Sequence, residues 1–364
     1  MKTYPLESMS LAEAKEFQYR LVDEIAKVFS GKEILTRGDL GVVAGINKAE
    51  TTKKVEQVIA SFFASEKALL VRGAGTGAIR YALFSVMKAG ETLLVHKAPV
   101  YSTTKTSLEM MGITTVEADF NNSEEIKETL NNHLEIKAAL IQYTRQKLDD
   151  SYDMETVIQT IKKARDIPIV TDDNYAVMKV RKTGSELGAD LSCFSCFKLL
   201  GPEGIGCIVG KEKYINFLIQ HHYSGGSQTQ GHEALDVLRG LVYAPVSLAL
   251  QNEVNEELVV RLNGGEIPEV SAAFLANAQS KVLLVELKEN IAKKVLVEAE
   301  KLGASPHPVG AESKYEMTPM FYRVSSTFRE SDSSLEERMI RVNPLRSGPD
   351  TVIRILKEAI KRVK

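Results

Sequence analysis

The sequence predicts an α/β fold, a large domain built on a mainly parallel seven-stranded sheet followed by a smaller C-terminal α+β domain. Three observations carry this prediction. Short apolar runs of four or five residues alternate with stretches of helical periodicity, the pattern of repeated βα units. The runs are continuously apolar, as expected of strands covered on both faces. A polar, Gly-rich stretch then interrupts the alternation and is followed by one long helical pattern.

Taken in order, Ser10 to about Val28 is helical, with Leu11, Ala14, Phe17, Leu21 and Ile25 on one stripe. The segment Thr36–Lys48 (TRGDLGVVAGINK) is Gly-rich and irregular. A second amphipathic helix places Val55, Val58, Ile59, Phe62 and Phe63 on its apolar side. The seven strand-like runs are Ala68–Val71, Thr92–His96, Thr114–Ala118, Ala138–Gln142, Pro168–Thr171, Leu191–Ser195 and Ile205–Val209. Helical patterns lie between most of them, including Gly77–Met87, Thr103–Met111 and Met154–Arg165. The stretch HHYSGGSQTQGHEAL (His221–Leu235) closes this block, and a helix from about His232 to Leu262 leads to NGGEIPE (Asn263–Glu269), a turn-rich break. Beyond it the pattern gives a strand at Val282–Leu287, a helix near Asn290–Leu302, a loop through Pro306–Pro319, a strand near Met339–Val342 and a final helix from Pro349. The expected division is therefore 1–50 (N-terminal helix and covering segment), 51–262 (large domain) and 263–364 (small domain).

Composition narrows the class of function. The 364 residues carry 46 Lys+Arg against 48 Asp+Glu, a net charge of -2, and 44% are hydrophobic. That apolar content and low net charge exclude disorder as the main state. The charge balance argues against a nucleic-acid surface, which would show a basic excess. Three cysteines cannot frame a disulfide scaffold, so a reducing cytoplasm is the expected compartment. Glu7 and Glu13 stand where a signal peptide needs an apolar run. No stretch approaches the roughly 18–20 apolar residues of a membrane span.

Three segments could carry chemistry. Gly73-Ala74-Gly75-Thr76-Gly77-Ala78 follows a predicted strand and opens a helix, where free N–H groups and glycine backbone suit a phosphate. A dinucleotide-binding reading needs an acid at the next strand end, and Val95-His96-Lys97 has none. A Walker A loop fails because no Gly-Lys-Ser/Thr follows. A tight turn without ligand remains open beside a single phosphate held by Thr76, Gly77 and Ala78. The second segment, Thr171-Asp172-Asp173-Asn174-Tyr175, puts an acid at the carboxyl end of a strand, where α/β sheets bind ligands; a turn or helix cap is the plainer account. The third is Ser195-Cys196-Phe197-Lys198 with a Gly/Pro loop after it. A lysine in a partly apolar crevice can lose its proton and attack a carbonyl, although a solvated lysine is the ordinary case.

In sequence order these give a phosphate cup, an acid, and Ser-x-x-Lys 26 residues beyond Asp172. That ordering resembles the fold-type-I pyridoxal-phosphate (PLP) enzymes of the aspartate aminotransferase superfamily, with the class-V aminotransferase and selenocysteine-synthase-like branches nearest. The segments GDLG, GAGTGAIR, TDDNYAVMKV, FSCFK, GPEG and YSGGSQ are similar to those of uncharacterised bacterial YhfS-type proteins, and this likeness covers nearly the whole chain.

The resemblance implies a role for each matching residue. Lys198 would form the Schiff base with pyridoxal 5'-phosphate and shuttle the proton at the substrate Cα, and Asp172 would pair with the pyridinium nitrogen. Thr76, Gly77, Ala78 and Ser195 would hold the phosphate. Tyr101, in Ala98-Pro99-Val100-Tyr101, would stack on the ring, and Gln142 and Asn174 would serve its O3′ side. Arg341 would fork onto a substrate carboxylate, with Arg346 as competitor. Ser227, in Ser224-Gly225-Gly226-Ser227-Gln228, would reach the phosphate of a neighbouring subunit, implying a homodimer with shared active sites. The TRGDLG segment would cover the substrate side.

Three departures refine this expectation. Phe197 stands where class-V members often have His before the lysine. No cysteine follows Cys207, which disfavours a cysteine desulfurase. Cys193 and Cys196 form one C-x-x-C, half of a zinc site, and read as buried small residues, so no metal is expected. The expected activity is transamination of an amino acid or related amine, with carbon–sulfur or carbon–oxygen β-elimination second. An NAD-dependent oxidoreductase and a non-catalytic PLP-fold protein are the rivals from other classes.

Overall fold

Each of the seven apolar runs folds as a strand of one sheet: β1 (Lys67–Arg72), β2 (Thr92–His96), β3 (Thr114–Ala118), β4 (Ile136–Gln142), β5 (Ile169–Asp172), β6 (Leu191–Ser195) and β7 (Ile205–Gly210). The computed structural model describes residues 3–98, 100–144, 147, 149–222, 224–277, 281–325, 328–329 and 332–364. Pro99 of the Ala98–Tyr101 motif and Tyr223 of YSGGSQ lie outside the described residues. The chain divides into two units, one comprising Lys15–Tyr143 and Ser151–Ala244, the other Met1–Ala14, Thr144–Asp150 and Pro245–Lys364.

The seven-stranded sheet belongs to the first unit and runs β1-β7-β6-β5-β4-β2-β3. β7 is antiparallel to both its neighbours, and the other pairings are parallel. The link from β6 to β7 is too short for a crossover, which fixes the antiparallel pairing. Successive residues point to opposite faces. Leu93, Leu140 and Val170 join one core cluster with Ala78, Ala82 and Ile208, whereas Leu94, Ile141 and Ile169 join another with Val157 and Ile161. Both faces of the inner strands are thus covered, which is why they show no polar alternation, while the edge strand β3 is mostly exposed.

The helices α1 (Leu11–Val28), α2 (Glu50–Phe62), α3 (Ala74–Val86), α4 (Ser102–Met110), α5 (Ser123–Asn132), α6 (Met154–Ala164), α7 (Glu212–His221) and α8 (Gly231–Asn263) complete this part of the chain. α5 and α7 are not among the elements named from sequence. α5 begins where the Asn122 side chain accepts the N–H groups of Glu124 and Glu125, and α6 where Asp153 accepts that of Thr156.

The second unit holds a four-stranded antiparallel sheet in the order β10-β11-β9-β8. Its strands are β8 (Val270–Asn277), β9 (Lys281–Leu287), β10 (Met320–Arg323) and β11 (Met339–Asn343), with α9 (Ala292–Lys301), a turn of helix α10 (Leu335–Arg338) and α11 (Pro349–Val363). Leu283 and Val285 of β9 pack with Val295 and Ala299 of α9 and with Val352, Leu356 and Ile360 of α11. β8 and β10 escape the sequence pattern for physical reasons. The small residues of VSAAFLAN give no alternating stripe, and β10 has only four residues after a long loop. Glu316 shapes that loop, its carboxylate accepting N–H groups from Val309, Gly310, Ala311 and Ser313. Among the described residues, no helix is long and apolar enough to cross a membrane.

Candidate active site

β4, β5 and β6 are adjacent and end at Gln142, Asp172 and Ser195, with Gln142 opposite Asp172 in register. Strand ends of this kind line the ligand crevice of α/β sheets. After β5 the chain turns sharply, and Tyr175 (φ 66) and Met178 (φ 64) adopt left-handed backbone. Within the turn, the Asp172 carboxylate accepts the backbone N–H of Asn174 (3.1 Å) and its side-chain amide (2.7 Å). The same side chain's Oδ1 accepts the N–H of Ser195 (3.0 Å). Asn174 therefore ties the end of β5 to the end of β6. Burial pushes the Asp172 pKa up, against the donors of Asn174, the charge of Lys198 and a hydrogen bond from Gln142.

Lys198 sits in a 3₁₀ turn, Cys196–Leu199, directly after β6. Leu200 (φ 64) closes the turn, and a Cβ on Gly201 would lie 2.7 Å from the Cys196 carbonyl oxygen. The turn is thus fixed by backbone geometry. Lys198 is half-buried, with its Nζ 4.2 Å from the centroid of the Tyr175 ring, within cation–π range.

The Gly-rich segment forms a cup at the start of α3. The N–H groups of Gly73 and Ala74 both donate to the Gly204 carbonyl (2.8 and 2.9 Å). Those of Gly75 and Thr76, in the first helical turn, are the pair an anion can take. Gly77 is required, because a Cβ there would meet the Arg72 carbonyl oxygen at 2.2 Å. Ala78 is fully buried behind the cup, and the Thr76 hydroxyl lies 3.1 Å from that of Thr103.

A Cβ on Gly75 would lie 2.3 Å from Asn174 Oδ1, so cup and acid turn are in direct apposition. We expect Gly75→Ala to push the Asn174 amide off Asp172. Cofactor affinity should fall by about tenfold or more, the worth of one hydrogen bond to a charged group. Equilibrium titration of the apo-protein measures it.

The structure thus brings Thr76, Gly77, Ala78, Gln142, Asp172, Asn174, Ser195 and Lys198 onto the strand ends and turns of one unit. Tyr101 precedes α4, its carbonyl accepting the N–H groups of Thr104 and Lys105, and its ring is 40% exposed. Ser227 lies in a hydrogen-bonded turn, donating its N–H and hydroxyl to the Ser224 carbonyl. In the TRGDLG segment, Asp39 accepts the N–H groups of Glu50 and Thr51 and so caps α2. Arg341 and Arg346 belong to the other unit. Arg341 is buried on β11, donates Nε–H to the Arg323 carbonyl (2.8 Å) and stacks 4.0 Å from the Tyr322 ring centroid. Arg346 is exposed. All three cysteines are buried free thiols, and burial pushes the pKa values of Cys193 and Cys207 well up, which keeps them unreactive.

Two residues of this arrangement were not assigned from sequence. Tyr175 stands in the quoted DDNY segment, but its approach to Lys198 depends on a left-handed backbone that no periodicity shows. Asp173 is fully buried beside Asp172.

Comparison with known proteins gives the arrangement a family. Residues 46–275 match the model described as Cys/Met metabolism PLP-dependent enzyme, and residues 256–356 match a YhfS-like C-terminal domain. The chain is 53% identical over 363 residues, 100% of both chains, to the uncharacterised protein YhfS of Escherichia coli K12. The crystal structure of that protein, described as pyridoxal-5'-phosphate dependent, superposes over 100% of both chains with a TM-score of 0.98. More distant likenesses in fold include CalE6 of Micromonospora echinospora, a methionine gamma lyase (17% identity, 95% of this chain and 98% of that one, TM-score 0.73). Cystathionine gamma synthase of Xanthomonas oryzae pv. oryzae is another (16%, 95% and 98%, TM-score 0.71). The fold-type-I reading, the cofactor and the likeness to YhfS-type proteins are borne out. The chain belongs to the Cys/Met metabolism family of PLP-dependent enzymes and has fold type I.

Proposed function

We propose that this enzyme is a lyase that breaks a carbon–sulfur bond of an amino acid, with Lys198 as its covalent and proton-carrying residue. The observation that supports the cofactor's seat is the Asp172–Asn174–Ser195 link, which sets a buried carboxylate beside the Gly75 cup. These residues fit the cofactor's three polar ends: an anion cradle at the start of α3, an acid for a ring N–H, and a primary amine.

When bound, the cofactor supplies an electron sink for charge developing at the substrate Cα. Asp172 would hold a proton on the ring nitrogen, and its burial strengthens that ion pair. The N–H groups of Gly75 and Thr76 and the Thr76 and Ser195 hydroxyls would hold the phosphate, with Gly77, whose N–H goes to the Gly73 carbonyl, and buried Ala78 shaping the cup behind them, and Tyr101 would stack on the ring. Lys198 would hold the group covalently and take the proton from Cα. The Tyr175 ring, against Nζ, favours the charged amine after that transfer. Arg341 would bind the substrate carboxylate. Ser227 would reach a second copy's phosphate in a homodimer.

The family match over residues 46–275 favours carbon–sulfur cleavage over transamination, reversing the order expected from the motifs. Incubating the holoenzyme with cysteine, homocysteine and cystathionine tests this. A lyase releases a 2-oxo acid, ammonia and a thiol or sulfide in equal amounts. A 2-oxo acid without ammonia, with the amino group kept on the cofactor, means transamination instead.

A further inference from the structure

Asp173 follows Asp172 directly and is 0% exposed, so two carboxyl groups share one buried turn. Two neighbouring buried carboxyls do not both ionise readily, because each charge raises the cost of the other. Their surroundings differ. Asp172 faces the donors of Asn174 and the positive charge of Lys198. Asp173 faces away from these. Its backbone N–H donates to the Cys193 carbonyl (2.9 Å), and its Oδ2 accepts the N–H of Gly184 (2.8 Å). The hydroxyls of Thr171 and Ser192 lie beside it, 2.9 Å from one another, and Ser192 Oγ also accepts the N–H of Ser185 (2.6 Å). The Asp173 Oδ1 is buried and makes no hydrogen bond. A carboxylate would strand charge on that atom, whereas an acid's neutral O–H can rotate toward a hydroxyl.

Asp172 on the same turn and the Cys193 thiol on β6 interact with it, and the Glu186 carboxylate is directed to Thr183. Resting on the reading of Asp172 as the ring-nitrogen partner, we propose that Asp173 is a positioning residue that keeps its own proton, so that the charge of the acidic pair resides on Asp172. It also fastens the turn carrying Asp172, Asn174 and Tyr175 to the Gly184 backbone. Burial supports the retained proton, pushing the Asp173 pKa up to about 7 against the Gly184 N–H and the Thr171 and Ser192 hydroxyls, which favour the charged form, with Asp172 adding a smaller push.

The sign of the pH effect follows. A folded-state pKa above the unfolded value means the folded chain holds the extra proton. Asp173 therefore favours folding below about pH 4, and this contribution is lost as pH rises toward about 7. Asp173→Asn keeps an acceptor for Gly184 and removes the titration. Thermal melts of the apo-protein should show the variant close to wild type at about pH 4 and melting progressively higher than wild type as pH rises, by several degrees at about pH 8. If Asp173 works as an ionised acceptor, the variant melts lower than wild type at the higher pH, and the proposal is overturned. Equal melts at both values overturn it as well. Because this readout uses no cofactor, it is separate from the Asp172 assignment, which fails instead if Asp172→Asn binds pyridoxal 5'-phosphate as tightly as wild type.

Discussion

Replacing Lys198 with alanine is expected to give a folded protein that no longer fixes its cofactor. Borohydride treatment of the wild type should couple pyridoxal 5'-phosphate irreversibly to the chain, with the added mass on the peptide containing Lys198. The variant should carry no such mass. Turnover should fall by about 10²–10⁴-fold or more, the range that one positioned proton carrier supplies, because the same amine also anchors the group. The fold should tolerate the change, since Lys198 is half-buried and its charge contacts the Tyr175 ring. Losing that contact costs about 0.5–1 kcal/mol. A borohydride-stable adduct on another lysine would remove Lys198 from its role.

Asp172→Asn carries the second large effect, and its two halves have opposite signs. The carboxylate is the buried charge facing Asn174, Gln142 and Lys198. Without it the cofactor loses a charge-assisted hydrogen bond worth about 1.5–3 kcal/mol, so its affinity should fall by roughly 10–100-fold. Turnover should fall further, because the ring nitrogen no longer keeps its proton. The apo-protein, however, should become more stable near neutral pH. Burial raises this acid's pKa, so its contribution to folding is present in acid and is lost as pH rises above the ordinary carboxylate range. Calorimetry of cofactor binding and apo melts against pH measure the two halves separately. Such opposition between stability and function is common where a site needs a desolvated charge.

How much of this was legible in the sequence depended on the scale of the signal. Six of the seven strands of the large sheet are covered and could be read as apolar runs, whereas the edge strand β3 (TTVEA) is buried only at Ala118. Leu93 and Leu94 serve opposite faces, so neither could be polar. Lys198 and Asp172 could be located because strand ends are marked by the chemistry that interrupts those runs. Asn174's bond to Ser195 could not, since it joins two strands through a side chain and depends on a register that periodicity does not specify. Tyr175 stayed unassigned because its place beside Lys198 follows from one left-handed residue. β8 and β10 lacked a stripe or the length to show one.

The Gly204 carbonyl accepts both Gly73 and Ala74 N–H groups, and it stands between the Lys198 turn and β7. The Gly-rich turn before α3 is therefore fastened to the loop that leads from the Lys198 turn into β7. A cofactor whose phosphate sits at that turn would meet a seat already formed. Loading should then depend on encounter rather than on rearrangement.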